Sequence, residues 1–384
     1  MRFLFTSSPG VGHLMPILPV ATAARERGHE VVVGCGASLE PMVSRAGLRH
    51  VSMGQASLHE VRDLVAGWAA ADGPGRATLM YTEAFGHVIA AAIADDALRF
   101  ATDWRPAVIV HEDMEVGSWI AAERLGIPHA TIQATAWRPW QHGLQVAHQN
   151  ELRAAHGLDH QADLAGRIGL HWFTTRPPAL RDPAWSMPAP LGELRPDPDD
   201  QVGGGANATP GWLAASPNRP RVAVTLGTMN AHRTDLLRPM IEGIAALDVE
   251  VVVALGADPA TLGTVPPNVR VEAFVPMSQL LRRSSVAVHH GGSGTTLAAL
   301  AAGIPSVFVP ITADQPDNAA AVVAAGAGLI LDTNGLTVDV VRAAVDGLLT
   351  AAAHRDRAEA IAAEIALMPD ADAAVAVIEG LIGA

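Results

Sequence analysis

The chain has 384 residues, 49% hydrophobic and 17% charged, which is length for two or three domains and apolar material for large cores. Its 39 acidic against 26 basic side chains give a net charge of -13, and the basic residues are scattered, which excludes polyanion binding as the main activity. Every basic residue is Arg, which excludes P-loop lysines and lysine Schiff bases, and the single cysteine, Cys35, excludes an intrachain disulfide. No run approaches the roughly 18 uninterrupted apolar residues of a membrane helix. The chain opens directly into strand-like Arg2-Phe3-Leu4-Phe5-Thr6 with no secretory leader, so a cytoplasmic location is the expectation.

In chain order, residues 2–6 read as a strand, 7–13 as a Gly-containing loop, 16–27 as a helix stopped by Gly28, and 30–33 as a second strand, together one βαβ unit. Further on, 107–110 reads as a buried strand, a helix follows to Leu125 and Gly126, and 128–132 as the next strand. Trp68, Met80, Tyr81, Phe85, Trp137, Trp140 and Trp172 lie outside the strong strand patterns. Two or three of them are expected to line a pocket for a flat apolar molecule and the rest to pack in cores, while His142 and His148 read as structural. Residues 188–220 are packed with Pro, Gly, Asp and Asn and lack apolar periodicity, the composition of a linker. The expected division is a first domain over 1–200, a linker over 201–219, a second domain over 220–368, and a helix within 369–384 that packs back on the first domain. The second half repeats the grammar of the first: strand 221–225, loop 226–230, helix 234–247, strand 249–255, then strand 286–289, helix 295–302 ended by Gly303, and strand 306–310. Such alternation predicts two doubly wound parallel α/β domains facing a cleft, with ligands at the carboxyl ends of the strands.

The segment His289-His290-Gly291-Gly292-Ser293-Gly294-Thr295-Thr296 follows a hydrophobic strand and opens a helix. Glycines there let backbone approach a ligand, and the amides and positive end of the helix suit a phosphate or diphosphate, with His290, Ser293 and Thr295 adding hydrogen bonds. A Gly-rich connector with a hydroxyl cap is the competing reading, which the double His and double Thr weigh against. Beyond the next strand, Pro310-Ile311-Thr312-Ala313-Asp314-Gln315-Pro316-Asp317-Asn318 offers an acid, an amide and an Asn, a mixture of acceptors and donors that suits vicinal sugar hydroxyls. Alone it reads as a polar turn capping a helix; beside the phosphate loop it suggests a nucleotide-sugar site. Gly10-Val11-Gly12 lacks the third glycine of a dinucleotide fingerprint, and His13 occupies the helix entrance, which argues against an oxidoreductase.

His290 to Thr295, the Asp314-Gln315 pair, Phe274-Val275-Pro276 before Leu280-Leu281, and Gly12-His13-Leu14-Met15-Pro16 resemble the inverting, two-domain nucleotide-sugar glycosyltransferases. The resemblance is closest to the bacterial enzymes that decorate macrolides, aromatic polyketides and enediynes. It runs over the whole chain, including the Ala362-Ala363-Glu364-Ile365-Ala366-Leu367-Met368-Pro369 ending, although the first half matches only at its first loop and near 106–128. It implies a GT-B architecture of two Rossmann-like domains, with His13 as the general base that removes the acceptor proton, a role that an imidazole with an ordinary pKa near 6.5 can fill. The family's orienting Asp falls where this chain reads Val110-His111-Glu112-Asp113; spacing back from Gly126-Ile127-Pro128 puts Glu112 there with Asp113 next door, so both are candidates. The resemblance further implies that Gly12, Thr228, Phe274, Val275, His290, Gly291, Gly292, Ser293, Gly294, Thr295, Asp314 and Gln315 hold the donor. In that scheme Thr228 touches the diphosphate, and Phe274 and Val275 wall the pyrimidine; Met277 stands where a Gln is common.

The implied reaction is transfer of a hexose or deoxyhexose from a dTDP-sugar to a hydroxyl of a polyketide-like natural product with inversion. UDP-glucose as donor and C-glycosylation of an aromatic carbon are its variants. A nucleotide-sugar epimerase of the same architecture and a non-catalytic helper of a partner transferase are the competitors from other classes. No cofactor is expected, and no metal: Asp197-Pro198-Asp199 and Asp370-Ala371-Asp372 both lie off the rigid edge of a sheet, and the Gly291 to Thr295 helix entrance offers what a cation supplies elsewhere. The expected partners are the nucleotide sugar and an apolar aglycone, without nucleic acid or membrane; a homodimer is the one assembly entertained.

Overall fold

Short valine-rich runs such as Val31-Val32-Val33, Val251-Val252-Val253 and Val286-Ala287-Val288 are apolar at every position, so they must be covered on both faces, which is the condition for parallel sheets flanked by helices. The structure, a computed structural model, describes residues 1–136, 139–163, 165–184, 186–197, 209–215, 218–227 and 230–383. The first sheet comprises β1 (Arg2–Thr6), β2 (Glu30–Cys35), β3 (Arg49–Ser52), β4 (Val108–Glu112), β5 (His129–Ile132), β6 (Trp172–Thr174) and β7 (Leu191–Glu193), in the order β3-β2-β1-β4-β5-β6-β7. The second comprises β8 (Arg221–Thr225), β9 (Glu250–Ala254), β10 (Val269–Glu272), β11 (Val286–His289), β12 (Ser306–Phe308) and β13 (Gly328–Ile330), in the order β10-β9-β8-β11-β12-β13. All pairings within both are parallel. Strand order reverses between β1 and β4 and again between β8 and β11, and the crevice beyond the carboxyl ends at such a reversal is where open α/β sheets bind ligands.

Side-chain alternation along the strands splits each core into two layers. Phe3 and Phe5 of β1 pack with the helix Ile17–Glu26 on one face, and Leu4 packs with Ile89, Ile93 and Ala97 on the other. In the second domain Val222 and Val224 face Leu237, Met240 and Ile241, while Ala223 faces Leu280 and Leu281. The last helix, Ala371–Ile382, buries Ala374, Val375 and Ile378 in the first domain's core beside Ile17 and Ala21, and Arg27 binds Glu379 and Asp372 across the joint at 2.5 and 3.1 Å.

Three departures from the sequence reading have physical causes. The proline-rich stretch is not all linker, because β7 adds an edge strand to the first sheet, where only one side needs ladder hydrogen bonds. Residues 209–215 of the expected 201–219 linker belong to the second domain: the turn Gly211–Ala214 buries Leu213 against Val275 and Leu280. Trp172, expected outside the strands, sits wholly buried in β6. The stretch Gly75–Trp104 is continuous helix, with a π-helical segment over Met80–Ile89, and by length and apolarity alone it is enough to cross a bilayer. Its Ala84, Ile89, Ile93, Ala97 and Ala101 are buried in the first domain's core.

Candidate active site

β1 ends at Thr6 and the chain turns through Ser7 to Gly10 into the short helix Val11–Leu14, which sets His13 above the end of β4. Its side chain is 14% exposed, and Nδ1 lies 3.1 Å from Oε2 of the wholly buried Glu112. Glu112 is fixed from below, where Oε1 accepts from the Ser8 amide at 3.2 Å and Oε2 from the Met114 amide at 2.7 Å. The Phe85 ring closes the other side of His13 at 5.0 Å between centroids. Burial opposes a charged imidazole, but the carboxylates of Glu112, Asp113 and Asp314 outweigh it and hold the His13 pKa above its ordinary value. Burial likewise opposes ionisation of Glu112, yet His13 and the two amide donors hold it below the usual carboxylate range. With Nδ1 directed at Glu112, Nε2 is the ring nitrogen able to take a proton.

Asp113, the other candidate, faces a different job. Its carboxylate accepts from the Ala134 amide at 2.8 Å and the Thr135 hydroxyl at 2.9 Å, tying down the loop after β5, while burial and the Glu112 charge push its pKa up.

Across the cleft, β11 delivers His289 and His290 to opposite environments. His289 is wholly buried, its Nδ1 accepting from the Gly291 amide at 3.1 Å and its ring edge-on to Phe308. His290 is half-buried and flanked by glycines for a steric reason: a Cβ on Gly227 would lie 2.8 Å from its ring, and one on Gly292 2.6 Å from its Nε2. Burial lowers the His290 pKa to about 4 against the pull of Asp314, so near neutral pH the ring is uncharged and can donate one N–H. Gly291 adopts φ +90°, where a Cβ would stand 2.9 Å from the Gln315 carbonyl oxygen. The helix Ser293–Ala301 then begins behind Gly292 with no side-chain cap, so its first amides are offered to whatever binds above them. A Cβ on Gly12 or Gly294 would meet nothing within 4 Å, and Thr295 is half-buried at the helix entrance.

The acid-amide motif sits beside this entrance. Asp314 Oδ2 accepts from the Ser293 hydroxyl at 2.7 Å, from Asn318 Nδ2 at 3.0 Å and, from the first domain, from the Ala136 amide at 3.2 Å. Ala313 just before it holds φ +58°, an unfavourable conformation for a residue with a Cβ that the surrounding bonds enforce. Two expectations are modified here. Ser293 spends its hydroxyl proton on Asp314, and Gln315 uses its carbonyl oxygen to accept from the Ile311 and Thr312 amides at 2.8 and 3.0 Å, leaving its NH2 as the end able to meet a ligand. A third is narrowed: Phe274 is 68% exposed, whereas Val275 is 4% exposed with its side chain in the core beside Leu280, so what it can offer a ligand is its backbone. Thr228 lies outside the described residues.

Tyr81 and Phe85 are buried in the first domain's core with Trp68 and Met80 packed against it, and Phe85 alone among them has a ring contact with His13. Trp137 and the side chains of Trp140 and His142 fall outside what the structure describes; His148 pairs with Glu83 at 3.1 Å and Glu151 at 3.5 Å. Of the acidic pairs, Asp370 caps the last helix through the Ala373 amide and Asp372 binds Arg27, while 198–199 are not described. Among the described residues no group of three His, Cys, Asp or Glu side chains is arranged to hold a metal ion. Sequence reasoning missed Arg176, which donates to Asn318 Oδ1 at 2.6 Å from the other domain; nothing in Thr174-Thr175-Arg176-Pro177-Pro178 marks it, because its partner is distant in the chain.

Residues 238–381 match the family described as Erythromycin biosynthesis protein CIII-like, C-terminal domain. The aklavinone 7-beta-L-rhodosaminyltransferase of Streptomyces galilaeus is 32% identical over 413 residues, covering 94% of this chain and 92% of that protein. Among solved structures, the glycosyltransferase SnogD from Streptomyces nogalater superposes with a TM-score of 0.83 at 30% identity over 100% of this chain and 99% of its own. The glycosyltransferase VinC, in complex with dTDP, does so at 0.80 and 25% identity over 100% of both chains. The likeness spans both domains and the cleft between them, so the chain belongs to the GT-B glycosyltransferases of bacterial natural-product biosynthesis.

Proposed function

We propose that this enzyme transfers a hexose or deoxyhexose from a dTDP-sugar to a hydroxyl of a polyketide-like aglycone, with inversion at the anomeric carbon and without a metal. The observation that carries the reading is one cleft with a base on one wall and an uncapped helix entrance on the other: His13 on buried Glu112 from the first domain, His290 and the first turn of Ser293–Ala301 from the second. The dTDP bound to VinC and the aklavinone in the relative's name support the classes of donor and acceptor.

In this scheme the acceptor hydroxyl gives its proton to His13 Nε2 as its oxygen forms the bond to the anomeric carbon, while the bond from that carbon to the diphosphate oxygen breaks. Glu112 keeps the proton of the resting ring on Nδ1 and offsets the positive charge that develops, a contribution of general-base catalysis of about 10² to 10⁴ in rate. Negative charge grows on the departing diphosphate, where the helix amides, the helix dipole and the neutral His290 ring stabilise it more than they stabilise the bound donor. A single displacement from the face opposite the leaving group inverts the centre.

The test is a reaction with a dTDP-hexose and an aromatic polyketide aglycone in excess EDTA, followed by the anomeric configuration of the product by NMR. Inverted product at an undiminished rate is expected. Retained configuration, or turnover that returns only when Mg²⁺ or Mn²⁺ is restored, would overturn the corresponding half of the proposal.

A further inference from the structure

Asn318 lies one helical turn after Asp314 on the helix Gln315–Ala324 and is 1% exposed. Its amide makes an asymmetric set of bonds. Nδ2 points to acceptors, reaching the Gly291 carbonyl at 2.9 Å, the Ser293 hydroxyl at 3.1 Å and Asp314 Oδ2 at 3.0 Å. Oδ1 accepts from Arg176 Nη1 at 2.6 Å, with the Ser293 hydroxyl a distant second neighbour at 3.5 Å. Arg176 belongs to the first domain, just past β6, and is 7% exposed.

An amide in such a place can sit in two orientations related by a flip, and the neighbours decide which one holds. With a guanidinium on one side, the flipped state would set NH2 against a cation and the carbonyl against the Gly291 oxygen and the Asp314 carboxylate, two repulsions at once. The cation therefore fixes Asn318 as a donor whose two N–H are shared among the Gly291 carbonyl, Asp314 and Ser293, and the Ser293 hydroxyl gives its own proton to Asp314 Oδ2 at 2.7 Å. The chain of bonds is polarised in one direction, from Arg176 to Asp314, and each bond strengthens the next. Asp314 is thus loaded on Oδ2 by donors from both domains, Ala136 included, and among the described residues nothing donates to its other oxygen, the one left to accept from a ligand.

We propose that Arg176 is a positioning residue for donor recognition: acting across the domain boundary through Asn318, it fixes the hydrogen-bonding sense of Asp314 and thereby the affinity for the sugar of the donor rather than for its nucleotide. The inference rests on the proposed function, in which Asp314 receives sugar hydroxyls. It also ties sugar recognition to the domain that carries His13, so a sugar is gripped only where the base is in place.

The experiment measures by calorimetry the affinity for dTDP and for a panel of dTDP-hexoses, and takes the gain from the sugar as the ratio of the two Kd values. It uses the full chain and five variants: Asp314→Asn, Arg176→Met, Arg176→Lys, Asn318→Leu, and Arg176→Met with Asn318→Leu. Arg176→Met is expected to cut the gain from the sugar about 5-fold or more while dTDP itself binds within about 3-fold of the parent, a readout that general loosening of the fold would not give; Asn318→Leu, which also removes the bond to the Gly291 carbonyl, should cut the gain at least as far and weaken dTDP as well. The double variant should lose no more than Asn318→Leu alone, and Arg176→Lys, which keeps the charge, should retain most of the gain. A loss in Asp314→Asn without one in Arg176→Met overturns the Arg176 inference alone. No loss in Asp314→Asn overturns the reading of Asp314 on which it rests. Equal losses of dTDP and dTDP-hexose in Arg176→Met would make the residue a clasp between domains and overturn its role toward the sugar.

Discussion

Glu112 has no exposed surface and accepts two backbone amides, so its carboxylate cannot swing away from His13. The raised His13 pKa is the direct consequence of that fixed charge, and it sets the sign of a pH prediction. A base works deprotonated, so activity should rise with pH through a limb lying above about 6.5, the ordinary histidine value. In Glu112→Gln the main counter-charge is gone while burial stays, so the limb of kcat/KM should move to lower pH, and the plateau should fall roughly 10²- to 10⁴-fold because the ring tautomer is no longer held. A limb that moves to higher pH, or a plateau within a few fold of the parent, would count against the pair. The sequence left two candidates, Glu112 by its spacing from Gly126-Ile127-Pro128 and Asp113 next door. Successive residues at a strand end point to opposite sides, and only the pairing of β4 with β1, which sets Thr6 beside His111, decides which of the two faces the first loop. That register is a tertiary fact, outside the reach of local pattern.

At the scale of elements, the loop from β11 into the helix Ser293–Ala301 shows how backbone shape makes a site. Gly291 at φ +90° has the Gln315 carbonyl where a Cβ would go, so Gly291→Ala must both strain the backbone and push the Asp314-Gln315 turn away. A cost of about 1 to 3 kcal/mol is expected in urea unfolding, together with weaker dTDP binding, because both the amides and the turn shift. Unchanged stability and binding would show the loop to be more plastic than its contacts imply. This loop was legible in the sequence because glycines, hydroxyls and strand-helix context are all local. The long helix over 73–104 was not, since the π-helical segment Met80–Ile89 changes the residue count per turn and breaks the 3.6-residue period of the apolar stripe. Its loosened turns are held from outside: Gln145 Nε2 donates to the Tyr81 carbonyl at 3.0 Å and Gln149 Nε2 to that of Gly86 at 2.7 Å. Likewise β7 and Leu213 hid in a proline-rich stretch, because a three-residue edge strand and a single buried leucine leave no periodic trace.

Across the whole molecule the two domains divide the chemistry, with His13 and Glu112 on one and His290, Gly291 and the Ser293–Ala301 entrance on the other. Their repeated strand order was readable as repeated grammar, whereas the contacts that join them, Ala136 to Asp314 and Arg176 to Asn318, depend on how two folded bodies face each other. With the chemistry so divided, proton removal and nucleotide binding belong to different walls and should separate on substitution. The most direct test is His13→Ala, measured twice, by turnover of a dTDP-hexose with an aglycone and by calorimetric titration with dTDP. A fall in kcat of about 10² to 10⁴ is expected, with dTDP affinity within about 2-fold of the parent. Turnover retained within a few fold, or loss of dTDP binding in parallel with loss of activity, would contradict that separation.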